Sequence, residues 1–421
     1  MAEAKPFEVP KRQVWEAYKR VKANRGAAGV DGQSLRGFEK NLENNLYKVW
    51  NRMSSGSYFP PAVRLVEIPK GGGGMRPLGI PTVGDRIAQT VVKMELEPLV
   101  EPHFHEDSYG YRPGKSAHDA LSTARKRCWR ANWVIDLDIK GFFDNLDHDL
   151  VLKAVAHHTA NPWVRLYIAR WLRAPVEKPD GTRVERTRGT PQGGVISPLL
   201  ANLFMHYAFD AWMTRTYPRV RFERYADDVV VHCVSEAEAR RVLEAVRKRL
   251  ADCGLELHPT KTKLVCCKDD DRRGDYEHVA FDFLGYTFQP RRARSRRGRF
   301  FMSFLPAVST KSAKAVRETI RGWRMASTRN TQRLEDLAQL VNPVVRGWTN
   351  YYGRFYGSKW RDVLHYLNRT LVGWVCRKYR RFHRRDRAAT RWLGRVARRD
   401  QRLFVHWQHG VLPAVGAGRA G

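Results

Sequence analysis

Acidic side chains are scarce in this 421-residue chain: 43 Asp and Glu stand against 76 Lys and Arg, a formal charge of +33. Such an excess repels itself within the Debye length of ~8 Å and calls for a polyanionic partner. Cysteine is sparse too. Cys128, Cys233, Cys253, Cys266, Cys267 and Cys376 contain no Cys-x-x-Cys pair, which argues against a zinc ribbon or a disulfide scaffold and predicts free thiols in a reducing, intracellular compartment. No apolar run approaches the ~18 residues of a membrane span, and no charged-then-apolar secretory segment follows Met1, so no membrane association is expected. What is present is 43% hydrophobic, enough for a real core, at a length that suits two or three domains of ~100–200 residues. An aromatic content of 11% beside the positive charge predicts a folded nucleic-acid binder rather than a basic tail.

The charge is unevenly placed. Residues 291–421 hold 31 basic and 6 acidic side chains, so +25 of the +33 lies in the last third. The step falls at Gln289-Pro290, ahead of Arg291-Arg292-Ala293-Arg294-Ser295-Arg296-Arg297-Gly298-Arg299, and predicts a boundary there. Before it, strand and helix signals mix. Val134 to Ile139 reads as a strand, Val176 to Thr187 as a hairpin about Pro179-Asp180-Gly181, and Arg221 to Val234 as two β segments joined at Ala226-Asp227-Asp228. Apolar periodicity predicts helices over Pro198 to Thr214 and Glu236 to Asp252. After the step the strand signals fade. Ala313, Val316, Ile320 and Trp323 recur at helical spacing, as do Leu334, Leu337, Val341, Val344 and Trp348, and Leu364, Leu367, Leu371 and Trp374. These stripes predict the core of a helical bundle, with Arg and Lys on the outer faces.

The acids that suggest chemistry are few. Asp227 and Asp228 sit side by side at a tight turn, where they repel each other and weaken it. That cost is sensible if a divalent cation lies between them and an incoming phosphate; a merely solvated turn is the alternative. On the strand Val134 to Ile139 side chains alternate, so Asp136 and Asp138 share one face and Ile135, Leu137 and Ile139 the other. An apolar back and an acidic front suit a half-buried sheet that presents hard oxygen ligands, which select Mg²⁺ or Mn²⁺. Two such ions ~3.5–4 Å apart can activate a 3′-hydroxyl and stabilise a leaving pyrophosphate.

Asp138-Ile139-Lys140-Gly141-Phe142-Phe143-Asp144, Thr190-Pro191-Gln192-Gly193-Gly194-Val195-Ile196-Ser197-Pro198 and Tyr225-Ala226-Asp227-Asp228 resemble, in that order, the palm motifs of reverse transcriptases, above all those of bacterial group II intron-encoded proteins. Arg76-Pro77-Leu78-Gly79-Ile80-Pro81-Thr82-Val83-Gly84-Asp85-Arg86 and Ser108-Tyr109-Gly110-Tyr111-Arg112-Pro113 are similar to that family's fingers. Phe283-Leu284-Gly285-Tyr286 is similar to its primer-side motif, and Asn342-Pro343-Val344-Val345-Arg346-Gly347-Trp348-Thr349-Asn350-Tyr351-Tyr352 to its maturase, or thumb, signature. The resemblance covers roughly residues 10–410. It implies an α/β (α+β) right-hand polymerase: fingers and palm over 1–290, a basic linker or hairpin over 291–304, an all-α thumb/maturase domain over 305–375, and a basic helical extension over 376–421 with DNA as a candidate ligand.

The same resemblance implies an RNA-directed DNA polymerase that binds its parent group II intron RNA, assists splicing and copies it into DNA during retrohoming. Its partners would be RNA template with DNA primer, dNTPs and target DNA, in the bacterial cytoplasm at the nucleoid. A splicing-only maturase and a domesticated reverse transcriptase in defence or repair are the alternatives, and the intact Asp138, Asp227, Asp228 and Gln192 speak against decay of the polymerase. The family's metal triad falls on Asp138, Asp227 and Asp228, holding two Mg²⁺ ions for which Mn²⁺ can substitute. Asp136 is the rival for the first position, but the family places an aromatic five residues after the ligand, where Phe143 follows Asp138. Asp144 and Asp147 are expected to cap or solvate the next helix.

Lys70 and Arg76, bracketing Gly71-Gly72-Gly73-Gly74, correspond to the family's cations over the triphosphate; the run is not a Walker loop, because no Gly-Lys-Ser/Thr follows. Phe143 corresponds to the ring under the sugar that excludes a 2′-hydroxyl, and Gln192 to a side chain held against template and nucleotide. Lys261 corresponds to the proton donor to pyrophosphate, with Lys263 the alternate. Arg346 and Trp348, and the run Arg377-Lys378-Tyr379-Arg380-Arg381-Phe382-His383-Arg384-Arg385, are expected to contact nucleic acid, the cations on phosphates and the interleaved aromatics on unpaired bases. Many relatives carry a C-terminal endonuclease with paired cysteines and histidines. No such cluster stands here, so priming from nascent strands at a replication fork is the expectation.

Overall fold

The computed structural model describes residues 5–69 and 74–414, which form two compact units divided between Val265 and Cys266. From Val63 to Cys266 the described strands are β1 (Val63–Pro69), β2 (Met75–Ile80), β3 (Trp133–Leu137), β4 (Val176–Glu177), β5 (Arg183–Val184), β6 (Arg221–Tyr225), β7 (Asp228–Cys233) and β8 (Lys263–Cys266). They make two four-stranded sheets, in the orders β2-β1-β4-β5 and β6-β7-β3-β8. In the first sheet β1 runs antiparallel to β2 and parallel to β4, and β4 returns as β5 through the expected turn at Pro179-Asp180-Gly181. In the second, β7 pairs antiparallel with both β3 and β6.

The second sheet holds the candidate acids and is built for rigidity. Val229, Val230 and Val231 are each at most 1% exposed, because the central strand is covered on both faces, and Val134 and Ile135 of β3 are fully buried beside them. The expected helix over Pro198 to Thr214 forms as helix Ser197–Met205, a π turn His206–Asp210 and helix Ala211–Thr216. The helix Glu236–Asp252 starts on Ser235, whose hydroxyl accepts from the Glu238 N–H. Helix Val83–Val100 is buried along most of its length and joins these elements in one apolar core. The structure is thus a mixture of α and β, as the motif pattern predicts.

In the second unit β9 (Phe281–Phe283), β10 (Tyr286–Arg294) and β11 (Phe300–Val308) form an antiparallel sheet. The Gln289-Pro290 charge step therefore falls inside a nine-residue strand, and strand structure runs on to Val308. Charge is a property of the surface, and here it changes without a break in the core. Helices Thr310–Gly322, Leu334–Tyr352, Gly357–Lys378 and Asp386–Arg399 are the longest of the helices that follow. The expected stripes of Ala313, Val316 and Ile320 and of Leu364, Leu367, Leu371 and Trp374 are buried. In the middle helix Val345 is buried, while Val344, expected in the stripe, is 39% exposed. A helical face advancing by three and four residues from Leu337 through Val341 reaches Val345 next.

All six cysteines are free thiols, and among the described residues no helix is long and apolar enough to cross a membrane. The second core also contains a titratable group. His406 is fully buried, with Nε2 2.8 Å from Asn368 Oδ1, and its Nδ1 has no hydrogen-bond partner among the described residues. Burial, helped by His365, lowers its pKa from 6.5 to about 3. The fold accommodates the neutral ring, so the unfolded chain binds the proton first, and stability falls as pH drops from 6.5 towards 3. Urea unfolding of the full chain at pH 7 and pH 4 should show this loss, and His406→Gln should flatten the pH profile.

Candidate active site

The candidate acids lie where two paired strands end. β3 and β7 run antiparallel with Leu137 opposite Val229. The next step in that register sets Asp138 beside Asp228, just beyond the ladder, while Asp136 lies inside it opposite Val230. Asp228 opens β7 across from Tyr225, and the intervening turn bends through Ala226, at φ +58°, to carry Asp227 at its tip. Like charges on opposed positions destabilise a sheet. Burial raises the pKa of Asp227; nearby Arg76 opposes this and Asp138 adds to it. The Asp228 side chain reaches water, yet surrounding protein strips much of its hydration, and with Asp227 and Asp138 close by its pKa rises to about 7. The three acids therefore feel one another.

Arg224 fixes the turn. It is fully buried, and its five N–H donors meet five acceptors: Asp210 Oδ1 (2.7 Å) and Oδ2 (2.6 Å), Asn202 Oδ1 (2.9 Å), Ser108 Oγ (2.8 Å) and the carbonyl of Ala226 (3.0 Å). The last bond reaches into the turn between Tyr225 and Asp227. The bidentate pair with Asp210 anchors the guanidinium to the π turn, and Ser108 belongs to the fingers-like motif. That motif is laced along β6: Tyr109 N–H donates to the Arg224 carbonyl (2.8 Å), and Arg224 N–H to that of Asp107 (2.9 Å). Gly110 then passes so close that an added Cβ would stand 2.5 Å from the Ala226 nitrogen, so only glycine fits.

A second segment holds Asp138. His258 N–H donates to the Asp138 carbonyl (2.7 Å), Lys140 N–H to that of Glu256 (2.9 Å), and Asp138 N–H to Thr262 Oγ1 (3.3 Å). This brings Lys261 into reach, its Nζ 3.6 Å from Asp138 Oδ1. Both side chains are well exposed, so water screens the pair. Lys263 lies in β8. Asp147 caps helix His148–His158, accepting from the Leu150 N–H (2.9 Å), and Asp144 is exposed in the short helix Phe142–Asn145.

The Gln192 loop is held from three sides. Gly79 N–H in β2 donates to the Gln192 carbonyl (2.7 Å), Thr190 N–H to that of Phe143 (2.7 Å), and Gln89 Oε1 accepts from Val195 N–H (2.8 Å). Gln89 is itself oriented by buried Asp85, which also accepts from Tyr58 (2.8 Å) and Trp171 (2.7 Å). Arg76 Nε donates to Gln192 Oε1 (2.7 Å), joining two of the expected nucleotide contacts, and it lies near enough to Asp227 and Asp228 to oppose part of the rise in their pKa values. Phe143 is buried, edge-on to Phe142. Lys70 and Gly71 to Gly73 fall outside the described residues.

Among the described residues no three His, Cys, Asp or Glu side chains are drawn together tightly enough to hold a metal ion as they stand. Asp138, Asp227 and Asp228 are near enough for their charges to act on one another, and Asp138 also faces Lys261. The donor chemistry fits a hard divalent cation all the same. It consists of carboxylate oxygens only, two of them with raised pKa values that a nearby cation would relieve.

The expected nucleic-acid contacts in the second unit divide. Arg346, Arg377, Arg380, Arg381, Arg384 and Arg385 are exposed. Lys378 is not available: its Nζ donates to the carbonyls of Asn330 (3.2 Å), Thr331 (3.2 Å) and Gln332 (2.6 Å). Trp348 stacks on Trp323 at 5.7 Å against the core, and Tyr379 and Phe382 gather around Trp392 at 5.3 and 5.8 Å. The aromatics read as base-stacking therefore serve the second core, because the chain turns at Arg380–Phe382 and folds them under the arginines.

The reverse transcriptase (RNA-dependent DNA polymerase) family matches residues 68–288, and the group II intron, maturase-specific domain matches residues 313–392. The chain belongs to the reverse transcriptase family, and it also carries a match to the group II intron, maturase-specific domain. It is 32% identical over 327 residues to Protein YkfC of Escherichia coli (strain K12), covering 66% of this chain and 81% of that protein. It is 36% identical over 281 residues to the Group II intron-encoded protein LtrA of Lactococcus lactis subsp. cremoris, covering 64% of this chain and 46% of that one. The chain thus spans less than half the length of the latter. Membership in the reverse transcriptase family implies dependence on a divalent metal.

Proposed function

We propose that this chain is an RNA-directed DNA polymerase that binds its parent group II intron RNA, assists its splicing and copies it into DNA. The observation that carries the reading is the gathering of Asp138, Asp227 and Asp228 beside the Arg76–Gln192 pair in a chain of this family. Residues up to about 290 would act as fingers and palm of a right-hand polymerase and the helices over 305–375 as thumb, with work in the bacterial cytoplasm at the nucleoid. The three aspartates would hold two Mg²⁺ ions, or Mn²⁺ in their place. Bound there, such ions would ease ionisation of a primer 3′-hydroxyl and neutralise the departing pyrophosphate.

The remaining chemistry falls to side chains. Arg76, with Lys70, would meet the triphosphate, offering fixed positive charge where negative charge builds on the leaving group. Gln192 would press on template and nucleotide from a loop that its hydrogen bonds keep from yielding. Lys261 would donate a proton to pyrophosphate. Phe143 would close the space beneath the sugar, so Phe143→Val should raise ribonucleotide incorporation roughly 10- to 100-fold relative to deoxynucleotide in single-nucleotide extension. The exposed Arg346, Arg377, Arg380, Arg381, Arg384 and Arg385 would grip RNA template, DNA primer, target DNA and intron RNA through their phosphates.

The test has two arms: dNTP incorporation on an RNA template with a DNA primer, and splicing of a precursor RNA bearing the intron from the neighbouring DNA. Incorporation together with stimulated splicing supports the reading. Splicing without incorporation would instead assign a maturase that has lost its polymerase.

A further inference from the structure

The hairpin of β10 and β11 has no part in the site described above. Register places Arg292 opposite Met302 and Arg294 opposite Phe300, so these four side chains project from one face of the two-stranded ribbon. All four are exposed, Phe300 at 59%. Arg292 lies over the Phe300 ring with its guanidinium carbon 3.8 Å from the centroid, and Arg294 flanks it at 5.8 Å. The tip is a tight turn, closed by Ser295 N–H donating to the Arg299 carbonyl (2.8 Å) and Gly298 N–H to that of Ser295 (3.0 Å), and it presents Arg296, Arg297 and Arg299.

Arg291 behaves differently. It is buried and splints the hairpin base, donating to the carbonyls of Leu305 (3.1 Å) and Thr287 (3.1 Å). Among the described residues, none of Arg292, Arg294, Arg296, Arg297 and Arg299 has an ion-pair partner. The nearest acid in the hydrogen-bond pattern, Asp270, accepts from the Met302 backbone N–H (2.9 Å). Two arginines against an exposed aromatic ring, with three more at the tip, make a strongly cationic surface that the described residues do not neutralise.

We infer that this hairpin is a docking site for a single-stranded stretch of RNA, with a base stacked on the open side of Phe300 and neighbouring phosphates held by Arg292, Arg294 and the arginines of the tip. An unpaired strand matches the charge and the ring at once, whereas in a duplex the base faces stack on one another and are closed to a side chain. The choice of RNA rests on the proposed function, in which RNA is the long partner. The stack adds sequence-tolerant affinity and leaves phosphate contacts to set the salt dependence.

The full chain is irradiated with a 15-nucleotide RNA containing 4-thiouridine, digested with trypsin and analysed by mass spectrometry; primer extension is measured in parallel. The expected result is an RNA adduct on the tryptic peptide 300–311. Phe300→Ala should reduce it at least about 5-fold and Phe300→Tyr restore it, with extension of an annealed primer unchanged. Annealing the RNA to its complement should suppress the adduct. The inference is overturned if other peptides are labelled while 300–311 is not, if duplex and single strand label it equally, or if single-stranded DNA labels it and RNA does not. Primer extension with an unlabelled hairpin removes this inference alone. Absent extension removes the polymerase reading, and labelling of the hairpin still decides this one.

Discussion

Asp227→Asn will reduce RNA-templated primer extension by roughly 10³-fold or more, the scale seen when a group acting directly on transition-state charge is lost. Asp227 stands at the turn tip, close enough to Asp138 and Arg76 to feel both charges. The fold should not suffer. Burial raises the pKa of this carboxyl, meaning that its ionised form is disfavoured in the folded chain, and the neutral isostere removes that penalty. Thermal melting at pH 8 should therefore give a midpoint equal to or above that of the unaltered chain. Extension that stays above a tenth of the original rate would show that the polymerising centre lies elsewhere.

Arg224→Met is expected to hurt both stability and catalysis. Removing one member of a buried, hydrogen-bonded ion pair strips Asp210 of its partner, at a cost of about 3–5 kcal/mol. Asn202 and Ser108 lose a donor each, and the Ala226 carbonyl loses the bond that steadies the turn. The double variant Arg224→Met/Asp210→Leu separates the two effects. With no stranded charge it should regain much of the lost stability in denaturant melts. Primer extension should nonetheless remain at least 10²-fold down, because nothing restores the contact to Ala226. Recovery of both stability and extension in the double variant would reduce Arg224 to a packing residue.

The placement of the acids at strand ends and a turn was legible in the sequence because its signal is local. Two adjacent aspartates between β runs, and one two places beyond Asp136 on an alternating strand, need only the strand period to be placed. Arg224 was not legible. Its partners at 108, 202, 210 and 226 come together only in three dimensions, and within Arg221-Phe222-Glu223-Arg224 it reads as one more surface cation. In the run from Arg377 to Arg385 the packing was not legible: alternating cations and rings suggested stacking on bases, while the turn at Arg380–Phe382 packs Tyr379 and Phe382 against the core and sets Lys378 on backbone carbonyls. Strand β11 was only partly legible: the resemblance implied a linker or hairpin over 291–304, but Phe-Phe-Met-Ser-Phe-Leu is a short apolar run, which periodicity alone cannot distinguish from a helix segment. The interior of the second unit followed its helical stripes closely, Val344 excepted.

The most direct test is a crystal structure of the full chain with an RNA template, a chain-terminated DNA primer, an incoming dNTP and Mn²⁺, recorded at the manganese absorption edge. Anomalous peaks about 2.1 Å from carboxylate oxygens of Asp138, Asp227 and Asp228, with Arg76 against the triphosphate, are the predicted result. Manganese bound to the phosphates with those three carboxylates turned away, or an RNA–DNA duplex seated elsewhere, would contradict it.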